Sequence, residues 1–302
     1  MNRLIHWFHL IGNPRKLLDS LLLKMPWALS DRLYIECTWR TKMSYKLDLD
    51  NPQTYNEKLQ WLKLFDRQPI YTTMVDKYAV KKYVAEIIGE KHIIPTIGVW
   101  ERPEDIEWDK LPNQFVLKCT HDSGGLVICR DKETLDKKAA IKKLNKSLHN
   151  NYYMAGREWP YKNVHRRILA EKFMSDEFGD LRDYKFFCFN GEPKMMFLLK
   201  ERSKKARLNF YDLDFNKLPF ERGYPNFDDE VEKPKGWDEM IKLARMLSKN
   251  IPQVRVDFYD INGEIYFGEL TFSPGSGFET FYPEEWDKTI GEWIKLPARS
   301  LS

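Results

Sequence analysis

"VRVDFYDINGEIYFGELTFSPG", residues 254–275, places Arg255, Asp257, Glu269 and Thr271 inside what otherwise alternates like an apolar β-hairpin. Val254, Val256 and Phe258 alternate with Arg255, Asp257 and Tyr259, the period of a strand with one dry face. Downstream, Tyr266, Gly268, Leu270 and Phe272 alternate with Ile265, Phe267, Glu269 and Thr271. Between the runs lies Ile261-Asn262-Gly263. A two-residue Asn-Gly turn pairs Asp257 with Gly268 and sends Glu269 to the opposite face. A three-residue loop closed by Gly263 at positive φ pairs Asp257 with Phe267 and Arg255 with Glu269. The three-residue loop is the expectation. It gathers Arg255, Asp257, Glu269 and Thr271 on one face, whereas a one-residue slip would drive half the charges into the core.

Buried charges are costly unless paired or holding a metal. Diagonal neighbours across a strand pair lie roughly 7–8 Å apart at Cα, so the Asp257 and Glu269 carboxylates can converge. Two such hard oxygen ligands suit Mg²⁺, which takes one or two carboxylates with waters and substrate phosphates. The bland alternative is a solvated hairpin face with an Arg255–Glu269 ion pair. The hairpin alone does not choose between them.

The chain has 302 residues, 42% hydrophobic and 31% charged, the balance of an ordinary globular protein. A net charge of +4 is too small to argue for nucleic acid. Cys37, Cys119, Cys129 and Cys188 have neither metal-ligand nor disulfide-framework spacing, which points to a reducing cytoplasm. No apolar run reaches the roughly 18 residues that span a bilayer. "LIHWFHLIGNPRKLLDSLLLKM", with Arg3, Arg15, Lys16 and Lys24, is compatible with an amphipathic helix on an anionic membrane surface; packing on its own domain is the expectation.

Residues 1–70 read mainly as helices, one starting near Tyr55 behind a cap at Asn51 or Thr54. "MVDKYAVKKYVAEIIGE" predicts one helix ending near Gly89, and "IIPTIGVW" a short strand. "QFVLKCTHDSGGLVICRDKETL" reads as strand, glycine turn and strand, and "ETLDKKAAIKKLNKSLHNN" as a charged helix. Strands follow at "RILAEKFM", "DYKFFCFNG" and "PKMMFLLKER", then a loop-rich segment from 203 to about 235 and a helix near 237–249. Mixed antiparallel strands with segregated helices predict an α+β fold.

Lys118 precedes the turn Asp122-Ser123-Gly124-Gly125, where glycines let backbone N–H groups approach phosphate oxygens and the lysine adds charge. A Ser-Gly-Gly hairpin is also a common structural turn, and the sequence is neither a Walker A loop nor a Rossmann fingerprint. Glu171 and Lys172 follow an apolar strand that reads as an edge. Asp183 and Lys185 share a strand face and suit a ribose hydroxyl and an anion, or are surface charges. His121 reads as a satisfied loop histidine. Tyr152, Tyr153, Trp159, Tyr161 and Arg157 suit a sugar or base, or pack their loop onto the domain. Asp48/Asp50 and Asp212/Asp214 match the short Asp-x-Asp metal motif of sugar-nucleotide glycosyltransferases.

The order of these signals, from "VDKYAVKKYVAE" through "FVLKCTHDSGG", "ILAEKFM" and "DYKFF" to "VRVDFY" and "GELTFSPGSG", resembles the ATP-grasp superfamily, with a layout similar to D-alanine–D-alanine ligases. "NPQTYNEKLQWLKLFD" and the final hairpin resemble the TupA-like ATP-grasp family of bacterial surface-polysaccharide gene clusters, over roughly residues 30–297. The resemblance implies a nucleotide held between two α+β lobes: a helical region at 1–70, a linker lobe at 71–115, a central lobe at 116–172 and a C-terminal lobe at 173–302. It implies that Lys77 and Lys118 contact ATP phosphates under the turn of Ser123, Gly124 and Gly125. Glu171, Lys172, Phe173 and Met174 would form the adenine-reading hinge, and Asp183 would take the ribose. Asp257 and Glu269 would bind Mg²⁺ and Arg255 would neutralise the γ-phosphoryl group. The turn of Ser273, Pro274, Gly275 and Ser276 would offer N–H groups to the acceptor. Lys200 and Arg202 fall where the superfamily places cations near an acyl phosphate, and Lys185 is counted with Arg255 and Arg202 among the catalytic residues. Thr271 stands where the superfamily usually has asparagine as its last metal ligand, which weakens one metal site.

The implied activity is an ATP- and Mg²⁺-dependent, ADP-forming carboxylate–amine ligase. Its carboxylate would belong to a uronic acid of a polysaccharide or precursor, and its amine to an amino acid. Positioning and charge neutralisation then dominate, and no Ser or Cys nucleophile is required. The competing readings are a kinase with a hydroxyl acceptor, a glycosyltransferase using one of the Asp-x-Asp pairs, and a polysaccharide-binding module built on the 152–161 aromatics.

Overall fold

A computed structural model describes residues 14–175, 181–200 and 206–299. Its helices are α1 (Pro14–Leu22), α2 (Asp31–Lys42), α3 (Tyr55–Phe65), α4 (Ile70–Val75), α5 (Ala79–Ile88), α6 (Lys137–Leu148), α7 (Tyr152–Gly156), α8 (Trp237–Leu247) and α9 (Glu285–Glu292). One antiparallel sheet holds β1 (Thr96–Trp100), β2 (Phe115–Cys119), β3 (Leu126–Cys129) and β4 (Ile168–Lys172) in the order β1-β4-β2-β3. A second holds β5 (Asp183–Phe189), β6 (Glu192–Lys200), β7 (Arg207–Tyr211), β9 (Gln253–Ile261) and β10 (Glu264–Thr271) in the order β10-β9-β5-β6-β7. A small ribbon pairs β8 (Glu221–Arg222) with β11 (Phe281–Tyr282).

The hairpin of β9 and β10 corrects the expected loop while keeping the expected face. Ile261 pairs with Glu264, so the turn is the two-residue Asn262-Gly263, with φ of 57° and 97° as a type I′ turn requires. That turn alone would bury Glu269. A bulge between Phe267 and Glu269 inserts Gly268 as an extra residue, and Asp257 then faces Glu269 while Arg255 faces Thr271. The dry face takes Ile265 and Phe267 before the bulge and Leu270 and Phe272 after it, all buried. Glycine suits the bulge because a Cβ at 268 would lie 3.1 Å from the Asp257 carbonyl oxygen.

The second sheet is covered on both faces. Tyr184, Phe186, Val254, Val256 and Phe258 pack with Met240, Leu243 and Leu247 of α8 and with residues of α4 and α5. The opposite face carries Phe187, Phe189, Phe197 and Phe210 against Tyr55 and Leu59 of α3 and Ile290 of α9. That second face changes character along the strands. Cross-strand rows run Glu269–Asp257–Lys185–Phe197 and Thr271–Arg255–Phe187, so the charges sit beside an aromatic core.

Helix α3 opens at the Thr54–Glu57 capping box, the predicted start near Tyr55. Three other expectations fail for identifiable reasons. The helix expected over "MVDKYAVKKYVAEIIGE" is broken, because Asp76 accepts from the backbone N–H of Tyr78 (2.9 Å) and Ala79 (3.1 Å) and so starts α5 afresh. Strand β4 is no edge: it lies between β1 and β2. The loop-rich segment contains β7, whose Asn209 is satisfied by the Phe227 backbone.

The bulge yields a direct test. Gly268→Ala is expected to destabilise the protein by roughly 1–3 kcal/mol through overpacking against the β9 backbone, read as a lower urea midpoint. A midpoint equal to wild type would show that the bulge tolerates a side chain.

Candidate active site

A cleft opens between the two sheets. Lys118 of β2, Glu171 of β4, Lys77 and Lys81 around the start of α5, and Asp122, Ser123 and Gly125 of the glycine turn line one side. Asp183 and Lys185 of β5, Asp257 and Tyr259 of β9, and Phe267, Gly268 and Glu269 of β10 line the other. The residues singled out on separate segments therefore meet in one place.

On the second sheet, Arg255 donates from Nε to Asp257 Oδ1 and from Nη2 to Asp257 Oδ2, both at 2.7 Å, and from Nη2 to Glu269 Oε1, also at 2.7 Å. Lys185 donates to Asp257 Oδ2 and lies 3.3 Å from Asp183 Oδ2. Thr271 donates to Glu269 Oε1 at 3.3 Å, so its hydroxyl orients the carboxylate. Burial pushes the Asp257 carboxyl up from its ordinary value, with Arg255 and Lys185 opposing it. Burial acts the same way on Glu269, but Arg255, Lys185 and Lys77 overcome it and pull the group down to about 2. The Glu269 side chain is still 41% exposed, and solvent in the cleft screens those attractions.

The first sheet presents a second charge cluster. Glu171 bridges two lysines, with Lys81 Nζ at 2.5 Å from Oε1 and Lys118 Nζ at 2.6 Å from Oε2. Burial would raise the Glu171 carboxyl, but Lys118 and Lys81 hold it below its ordinary range. Burial lowers Lys77 and Lys81. Lys77 donates to the Asp122 carbonyl, and its own N–H donates to Thr120 O at 3.0 Å, which aims the residue into the cleft. The glycine turn is fixed from beneath: Asp122 accepts from the Gly125 N–H at 3.1 Å and from the Ser147 hydroxyl of α6. A Cβ on Gly125 would collide with Ser147 and Cys119, so the backbone must be bare there.

Other expected residues fall elsewhere. Lys172 and Phe173 line a separate shallow depression with Pro95 and Ile97, Phe173 lying under Arg130 at 5.1 Å. The cleft lining includes neither Met174 nor Gly124. The Ser276 N–H donates to Ser273 O at 2.8 Å, so that turn keeps this donor for itself. Arg202 lies outside the described residues. Asp48 accepts from the backbone N–H groups of Asp50 and Asn51 and Asp212 from those of Asp214 and Asn216, as turn-capping residues do. His121 is buried with Nε2 at 3.2 Å from Ser147 O and Asn150 O. Tyr153 bonds Asp31, and Arg157 lies over the Tyr34 ring at 4.6 Å, so this part of the aromatic stretch packs inward.

Several cleft residues escape the sequence reading. Lys81 stands four residues after Lys77, a spacing that a break at Asp76 would have made legible. A buried network reaches the post-hairpin turn from distant segments. Glu158 accepts from the Ser276 hydroxyl at 2.5 Å, and Lys63 of α3 donates to Ser276 O at 2.6 Å and Gly156 O at 2.9 Å. Burial pushes Lys63 down to about 7 and Glu158 up, each partly offset by the other.

The chain matches the family model for TupA-like ATPgrasp over residues 57–295. Similar solved structures include D-alanine–D-alanine ligase from Helicobacter pylori, with 14% identity, a TM-score of 0.42, and coverage of 80% of this chain and 69% of that one. They also include the D-alanine–D-alanine ligase from Bacillus anthracis complexed with ATP, with 16% identity, a TM-score of 0.39, and coverage of 66% and 54%. The ATP-grasp ligase PsnB complexed with minimal precursor, Mg and ADP matches with 10% identity, a TM-score of 0.37, and coverage of 80% and 62%. This chain thus spans only about half the length of the Bacillus anthracis ligase. A sequence search of curated proteins finds no match.

Glu171 tests the lysine cluster. Glu171→Ala leaves two half-buried ammonium groups without their shared partner and is expected to cost about 1–3 kcal/mol at neutral pH. Because its folded-state pKa is depressed, the pairing stabilises above the ordinary glutamate value of about 4.3 and is lost as pH falls through the folded value. The variant should therefore lose part of the acid-side decline in stability. A wild-type urea midpoint across pH would contradict the pairing.

Proposed function

The chain belongs to the TupA-like ATP-grasp family, and we propose that it is an ATP- and Mg²⁺-dependent, ADP-forming carboxylate–amine ligase. The carrying observation is the convergence of Asp257, Glu269 and Arg255 with Lys77, Lys81, Lys118 and Lys185 in a single cleft. Such a site offers cations for a polyphosphate and hard oxygen donors for a divalent ion.

The donor set fits Mg²⁺. Asp257 and Glu269 face one another across β9 and β10, and the donors reaching Glu269 from Arg255 and Thr271 both use Oε1. Both Asp257 oxygens, by contrast, accept from Arg255 or Lys185, so a bound metal would share or displace one of those donors. We assign Asp257 and Glu269 as the metal ligands and Thr271 as the group that orients Glu269. When bound, the metal supplies charge neutralisation for the transferring phosphoryl group.

The chain's own residues do the positioning. Lys77, Lys81 and Lys118 hold phosphate oxygens, with Ser123 and Gly125 of the glycine turn beside them, and Asp183 faces the ribose. The adenine side is formed by Ile93, Ile94, Tyr259 and Phe267 of the cleft lining, with Glu171 between its two lysines. A substrate carboxylate oxygen attacks the γ-phosphorus and the bond to the β-phosphate oxygen breaks, giving ADP and an acyl phosphate. Arg255 and Lys185 offset the charge in transit. The amine nitrogen then attacks the acyl carbon, phosphate leaves, and the amine proton passes to phosphate or solvent.

For the substrates, we propose a uronic acid of a surface polysaccharide or its precursor, and an amino acid. Sequence resemblance supports this choice, and a charge pattern agrees with it. Lys137, Lys138, Lys142, Lys143 and Lys146 of α6 are all exposed, and α6 is tied to the glycine turn through Ser147 and Asp122. Such a face attracts a polyanion. We place the reaction in the cytoplasm, where ATP is available. No helix among the described residues is long and apolar enough to cross a membrane.

The test is an ADP-release screen of uronic acids against amino acids, with ³¹P spectra of the products. Wild type should give ADP and free phosphate only when both substrates are present. Asp257→Asn and Glu269→Gln should each lower kcat by on the order of 10²-fold or more. Undiminished turnover in both variants would reject the metal assignment. A phosphorylated acceptor in place of free phosphate would make the enzyme a kinase.

A further inference from the structure

Helix α1 is inside out. Asp19, its one acidic side chain, is 2% exposed and accepts from Arg40 of α2 at 2.7 and 2.8 Å. Its leucines face solvent instead, with Leu18 55% and Leu21 50% exposed. Leu18 and Leu21 lie one turn apart on a single helical face, and the turn beyond carries Met25, 48% exposed, and Trp27, 71% exposed. Monomeric proteins rarely leave contiguous apolar surface of this kind uncovered. The inward Asp19–Arg40 pair also fixes the helix by its polar side, so the apolar side is left over by construction.

We propose that α1 and the turn through Trp27 dock the protein on a bilayer containing anionic lipid. The charge pattern chooses this occupant. Over residues 14–28 the basic residues of the sequence are Arg15, Lys16 and Lys24, and Asp19, the single acid, is sequestered by Arg40. Leucine stripes flanked by lysine and arginine, with a tryptophan at the edge, are the composition of helices that lie in the interface of anionic membranes. A two-fold pairing of the same patch would bring its basic residues together with no exposed acid of residues 14–28 to compensate. One short helix gives weak, reversible attachment. The docking is independent of the proposed chemistry.

Sedimentation of the full chain with phosphatidylcholine vesicles, with and without phosphatidylglycerol, tests this. Wild type should pellet with the anionic vesicles and be released by salt. Leu18→Glu/Leu21→Glu should bind on the order of tenfold less, while nucleotide turnover in solution stays at the wild-type rate. Trp27→Ser, at the most exposed of these positions, should weaken binding in the same direction. Wild type that ignores anionic vesicles, or variants that pellet equally well, would overturn the proposal. So would a wild-type dimer that the double variant converts to monomer without any vesicle binding, since a second copy would then cover the patch.

Discussion

A guanidinium held between two carboxylates on neighbouring strands is the contact on which the cleft depends. Arg255 makes two hydrogen bonds to Asp257 and a third to Glu269, and Lys185 reaches Asp257 from the adjoining strand. Each of these charges would be expensive to bury alone. Together they form a row that ends against Phe197 and Phe187, so the low-dielectric wall and the charges strengthen one another. The row exists because Gly268 adds one residue to β10. Without it, Glu269 would point into the core beside Val256 and Phe258, and Asp257 would lose its neighbour.

The opposing wall repeats the logic with the signs exchanged. There one carboxylate, Glu171, serves two lysines, and a third lysine is spent on the carbonyl of Asp122. Burial lowers the affinity of Lys77 and Lys81 for their protons, so an arriving polyanion relieves a cost already present in the folded chain. Lys185 joins the acidic row on the facing sheet. A phosphate chain lying between the walls would meet cations on both sides and a pair of hard oxygen donors at one end.

Much of this was legible in the sequence, and the failures are instructive. The alternation in β9, with Arg255 and Asp257 on one face, and the acid and threonine at Glu269 and Thr271 in β10 identified the polar face. The local turn signal was also clear, since Asn-Gly favours the two-residue turn that is found. The two signals conflicted because a bulge leaves no mark except a glycine, and Gly268 reads equally well as a plain strand residue. Lys118 and the glycine turn were legible from strand–turn–strand patterning. Lys81 was hidden by reading α4 and α5 as one helix, which conceals the cap at Asp76. The backbone hinge expected at Lys172 and Phe173 turned away, while the Glu171 side chain itself entered the cleft. Glu158, Lys63 and Ser276 come from distant segments, and no periodicity announces a hydrogen bond between them.

We propose that Asp257 and Glu269 bind a divalent ion together with a nucleotide in this cleft. The most direct measurement is an electron paramagnetic resonance titration of Mn²⁺ against the protein, with and without a non-hydrolysable ATP analogue. Tight Mn²⁺ binding that requires the analogue, and that disappears in Glu269→Gln, is the predicted result. Mn²⁺ that stays free in the presence of the analogue, or binds equally well to wild type and Glu269→Gln, would contradict it.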